Sequence, residues 1–145
     1  MLDRKVRERG WEGDAPPDIE RLVERLAASG LIDDALYALS KSRSLSERGY
    51  GAGRVRQSLR AAGVGEEDGG AARELAADEA VASALRFARR RRIGPFADVA
   101  PDRAGREKAL AAMVRAGHGF EIARAVVDAQ PGIELDAEAL REKNR

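Results

Sequence analysis

The chain has 145 residues with 43% hydrophobic and 4% aromatic side chains, no cysteine and no threonine, which favours helices over pleated strands and excludes a disulfide framework and thiolate metal sites. No apolar run approaches the roughly 20 residues that span a bilayer, and the N-terminus MLDRKVRERG lacks the apolar stretch of a signal peptide, so a cytoplasmic protein with no membrane contact is expected; it is also expected to be a monomer. The net charge of +1 hides strong segregation: residues 31–64 carry six basic and three acidic side chains, 65–80 one and six, and 81–92 five and none.

In chain order, apolar periodicity and stop signals predict helices near residues 1–9, 18–29, 33–47, 52–62, 70–92 with a break near 78, 102–116, 119–130 and 136–143. Gly30, Gly63 and Gly117 stand where a helix must turn left-handed, a conformation glycine adopts without steric cost. Asp33 and Asp34 open the third predicted helix, where acids meet free N–H groups and the positive end of the dipole. No second metal-ligating or catalytic group is held beside them by sequence, so capping is their expected role.

An internal repeat emerges when the glycines are aligned. Gly10, Gly63 and Gly117 are 53 (63−10) and 54 (117−63) residues apart, each closing an i, i+4 stripe: Leu2/Val6, Val55/Leu59 and Ala109/Met113. Tyr37-Ala38 and Phe87-Ala88 repeat at a spacing of fifty (87−37), and both aromatics are expected in the core. The pattern reads as all-α, tandem three-helix repeats: an incomplete first repeat over 1–30, a second over 31–78, a third over 79–130 and a tail over 131–145. Stacked repeats of this kind give an elongated, curved body.

The segment Gly49-Tyr50-Gly51-Ala52-Gly53 invites comparison with a phosphate loop. A dinucleotide or Walker loop needs a strand before it, and a Walker loop ends in Lys-Ser/Thr; here a helical pattern precedes it and Arg54 follows, so the segment reads as a hinge and no cofactor is expected. His118, the single histidine, reads as a turn residue beside Gly117, and no catalytic constellation or metal set can be assembled. Two basic zones remain. One comprises Arg43, Arg48, Arg54, Arg56 and Arg60 around Tyr50, with Arg56 and Arg60 sharing a face. The other is Arg86 followed by Arg89, Arg90, Arg91 and Arg92, more cations than a helix C-terminus needs. Both are candidates for contact with an acidic surface or phosphates.

Leu31-Ile32-Asp33-Asp34-Ala35-Leu36-Tyr37-Ala38, then Arg48-Gly49-Tyr50-Gly51, then Arg54 to Val64 resemble the central repeat of the RecX family, bacterial regulators of RecA. Phe87 to Phe96, and Arg115-Ala116-Gly117 leading into Phe120 to Arg124, resemble that family's third repeat. The resemblance implies a non-enzymatic protein that binds the RecA filament on single-stranded DNA and inhibits its ATP hydrolysis, strand exchange and co-protease activities. Direct nucleic-acid binding by a helical module is the alternative, with weak DNA binding possible beside the filament. The family's opening helix is missing ahead of Leu2, and His118 stands where the family usually has an aromatic, with Phe120 expected to substitute in packing.

Overall fold

Left-handed turns punctuate this chain and set its helix boundaries. The structure is a computed structural model describing residues 33–144 together with Arg21, Leu22 and Glu24, which are helical. The helix expected over 1–9, most of that over 18–29, the Leu2/Val6/Gly10 stripe, the Gly30 stop and the incomplete first repeat lie outside the described residues. Among the described residues there are seven α-helices and no strand: α1 Asp34–Glu47, α2 Ala52–Ala61, α3 Gly70–Asp78, α4 Ala80–Arg91, α5 Arg103–Arg115, α6 Phe120–Asp128 and α7 Ala137–Lys143, with a 3₁₀ turn at Gly94–Phe96 after α4.

The stops are backbone-driven. After α2, the Gly63 N–H donates to Arg60 O and the Val64 N–H to Leu59 O; after α5, Gly117 donates to Val114 O and His118 to Met113 O. Both glycines have positive φ, 79° and 98°, and the paired bonds satisfy carbonyls that a helix end would otherwise leave free. Gly49, at φ 90°, ends α1 in the same way. Arg92 does so for α4 at φ 58°, a conformation costing a non-glycine residue about 1–2 kcal/mol. At the other ends, Asp102 Oδ1 accepts from the Gly105 N–H at 2.8 Å and Asp136 Oδ1 from the Glu138 N–H at 3.0 Å, capping α5 and α7. Asp33 immediately precedes α1 and Asp34 lies in its first turn.

The break expected near 78 within residues 70–92 falls at Glu79, where no glycine or proline marks it. Packing supplies the reason, because the two halves serve different cores. Ala72 and Ala76 of α3 join Ala38, Leu45, Val55 and Leu59 in one cluster. Val81, Ala84, Phe87 and Ala88 of α4 join a second with Met113, Ile122, Ala123, Val126 and Val127. Tyr50 is packed against both. The α7 segment, read from sequence as a tail, buries Leu140 in the second cluster. Alanines and Ser42 line the contact of α1 with α3, where Ser42 Oγ, fully buried, donates to Ala72 O at 2.8 Å and so avoids the penalty of an unpaired hydroxyl.

The turns after α1 and α5 meet backbone to backbone. The Gly51 N–H donates to Ala116 O and the Gly53 N–H to Gly117 O, both at 2.9 Å. A Cβ on Gly51 would collide with the Gly117 carbonyl, and one on Gly117 with the Arg54 backbone nitrogen. The hinge expected at residues 49–53 is therefore also a joint, and its glycines are small because another chain segment lies against them.

Candidate functional site

Beside this joint lies a cleft of about 720 Å³ walled by α2, α4 and α5. Five arginines line it, Arg48, Arg54, Arg90, Arg91 and Arg115, together with Tyr50 and Phe87, and no acidic residue does. The apolar stripe creates this grouping. Once Val55 and Leu59 are buried, the helical period carries Arg54, Gln57, Ser58 and Ala61 of α2 onto the cleft wall. Arg56 and Arg60 stand on another, exposed face, and Arg43 is exposed on α1, so none of these three lines the cleft.

Three guanidinium groups in the cleft lie over aromatic rings. Arg54 lies 4.4 Å from the Tyr50 ring centre and Arg91 5.0 Å from that of Phe87; Arg48 also lies over Tyr50, at 5.8 Å. Stacking on the ring face orients the planar group while leaving its N–H edge available, and that edge matches a carboxylate or phosphate as a two-pronged donor. Among the described residues Arg54, Arg90, Arg91 and Arg115 have no carboxylate partner, whereas Arg73, Arg86, Arg92, Arg103, Arg106, Arg124 and Arg141 each have one.

The arginine run of α4 divides by task. Arg86 Nη1 donates to Ser46 O at 2.9 Å and Arg90 Nη1 to Arg48 O at 2.7 Å. These carbonyls lie at the C-terminal end of α1, whose last turn to Glu47 holds no basic residue, so α4 adds to Arg48 the charge that the negative end of the dipole favours. Arg86 also pairs with Glu79 at 3.4 Å, Arg92 with Asp98 at 2.9 Å, and Arg89 lies over Phe96 at 4.8 Å. Of the run, Arg90 and Arg91 reach the cleft.

His118 is corrected by the structure. It is not a simple turn residue: only 5% exposed, its Nε2 is 2.9 Å from Gly49 O and its ring packs 5.4 Å from that of Phe87. Its own ring takes the buried place beside Phe87, while Phe120, expected to substitute in packing, is 53% exposed. Burial holds the imidazole below its ordinary pKa, against a smaller opposing effect of the Gly49 carbonyl. Tyr37, Ala38 and Phe87 are buried as expected. Arg115 escaped the sequence reading, because an arginine in the last turn of a helix is indistinguishable from an ordinary dipole partner until the cleft is seen.

Among the described residues no group of three His, Cys, Asp or Glu side chains is placed to hold a metal, and no helix is long and apolar enough to cross a membrane.

Comparison with known proteins supplies an independent line. Residues 33–72 match the family model described as RecX, second three-helix domain. A Regulatory protein RecX from Myxococcus xanthus is 36% identical over 137 residues, covering 90% of this chain and 72% of that protein. One from Agrobacterium fabrum is 34% identical over 128 residues, with coverages of 86% and 68%. One from Pseudomonas entomophila is 41% identical over 68 residues, covering 46% and 41%. No solved structure gives a significant match.

Proposed function

The chain belongs to the RecX family of regulatory proteins, and we propose that it is a non-enzymatic regulator that binds the RecA filament on single-stranded DNA in the cytoplasm and inhibits RecA ATP hydrolysis, strand exchange and co-protease activity. On this reading residues 31–78 and 79–130 are successive three-helix repeats following a first one within 1–30, and the cleft between α2, α4 and α5 is the surface that meets the filament.

The observation that carries the reading is the presence in one cleft of Arg54, Arg90, Arg91 and Arg115, none of which has a carboxylate partner among the described residues. Like charges held together raise the local potential and repel one another, a cost relieved when an acidic surface or a polyanion fills the space. A regulator lodged against a filament by such contacts opposes the subunit movements coupled to ATP turnover.

The test is RecA ATP hydrolysis on single-stranded DNA, titrated with this protein. Inhibition is expected, and Arg54→Glu with Arg115→Glu should shift the inhibition curve to higher concentration while far-UV circular dichroism stays unchanged. No inhibition at any ratio would refute the proposal. Direct binding to naked nucleic acid is the second reading, favoured by the same arginines. It is weakened by Tyr50, whose ring already has two guanidinium groups over it where a stacked base would lie. Salt-sensitive binding to naked DNA without RecA would favour that second reading; co-sedimentation only with assembled filaments favours the first.

A further inference from the structure

The basic cleft has a continuation of different chemistry. A second pocket of about 510 Å³ shares Arg91, Ala112 and Arg115 with it and runs on between the α4 C-terminus, the 3₁₀ turn and α5. Its lining includes the aliphatic side chains of Ile93, Val99, Ala109 and Val127 and no aromatic side chain. Val99 is 75% exposed, an aliphatic side chain left in water. Lys108 adds a cation at the edge, and the acid of the lining, Asp98, is engaged by Arg92.

We infer that the cleft and this pocket form one trough for an acidic peptide segment with a single aliphatic side chain as its anchor: carboxylates on Arg91, Arg115 and Arg54, the aliphatic group against Ile93, Val99 and Val127. The inference rests on the cleft being the partner surface and names which chemistry it grips. Nucleic acid fits the trough less well. A single strand carries one phosphate per nucleotide and asks for cations along its whole track, and a base asks for a ring to stack on. The second chamber has Arg91, Lys108 and Arg115 on its lining, with Arg92 paired to Asp98, but no ring on which a base could stack. It offers apolar surface, which is gained back only by an apolar group.

The same logic sets the division of labour. Arg91 and Arg115 stand where the chambers join, so a carboxylate on either side of an aliphatic residue reaches a guanidinium while the aliphatic group turns inward. Charge complementarity brings the segment in, and the apolar anchor fixes its register.

The experiment uses the full chain, without RecA or DNA, at physiological ionic strength. Fluorescence anisotropy is followed for a labelled short peptide of glutamate and serine with one central leucine, beside a leucine-to-serine version, a glutamate-to-glutamine version and an oligothymidylate. The leucine peptide should saturate. Losing the leucine should weaken binding at least about tenfold, and losing the glutamates should abolish it. Arg115→Glu and Val99→Ser, both exposed positions, should each weaken the peptide with circular dichroism unchanged. Equal binding with and without leucine, tighter binding of the oligothymidylate, or no peptide binding would overturn the inference. Peptide binding by a protein that leaves RecA ATPase untouched would remove the RecA reading and keep this one; RecA inhibition without peptide binding would do the reverse.

Discussion

Three glycine-to-alanine changes separate the ways in which this chain uses glycine. At Gly63 φ is +79° and nothing lies within 4 Å of an added Cβ, so Gly63→Ala incurs the left-handed penalty alone, about 1–2 kcal/mol. Gly51 has an ordinary φ of −91°, but its Cβ would collide with the Gly117 carbonyl. Gly51→Ala must therefore push the turn after α5 away, straining the two backbone bonds at 2.9 Å, a loss of about 1–3 kcal/mol. Gly117 combines φ +98° with a Cβ that would collide with the Arg54 nitrogen, so Gly117→Ala should cost the sum, about 2–5 kcal/mol. Urea unfolding followed by circular dichroism reads all three. A double-mutant cycle sharpens the test: Gly51→Ala and Gly117→Ala damage one joint and should be non-additive, whereas Gly51→Ala and Gly63→Ala should add. Gly51→Ala at wild-type stability, or Gly117→Ala no worse than Gly63→Ala, would refute the joint.

Phe87→Ala removes a buried ring packed on His118 and beneath Arg91 and should destabilise by about 3–5 kcal/mol, with Tyr37→Ala comparable; both are read from urea midpoints. Ser42→Ala deletes the bond from α1 to Ala72 O and should cost about 1 kcal/mol in the same assay. His118 makes stability depend on pH with a defined sign. Its folded pKa is lowered by burial, so the unfolded chain takes up the proton first; stability is complete above about pH 6.5 and falls, by at most about 1.4 kcal/mol per pH unit, until the folded pKa is passed. Relative to His118→Gln, the wild type should lose stability between pH 7 and 5.5, and a relative gain on acidification would contradict the buried placement. Arg56→Glu with Arg60→Glu, outside the cleft, should leave RecA inhibition closer to wild type than Arg54→Glu with Arg115→Glu does.

Local chemistry settled the elements. The Val55/Leu59/Gly63 and Ala109/Met113/Gly117 stripes place two helices and their stops to within two residues, because an i, i+4 seam and a left-handed terminus are written in neighbouring residues. Segregated charge likewise marked the arginine-rich faces, and the order of residues 31–64 pointed to the RecX family. What the chain order could not separate is which arginine faces which partner. Arg54 and Arg56 are two residues apart yet one lines the cleft and the other stands outside it, while Arg54 and Arg115 share a cleft at a separation of 61 residues (115−54). Arg86 and Arg90 became caps for a helix forty residues away, and His118 became core, only when α4 and the turn after α5 were laid against α1. Helix formation depends on residues within a turn or two of one another, so sequence determines it directly. Burial and charge pairing depend on which surfaces meet, and here that was decided by glycines small enough to let two backbones touch.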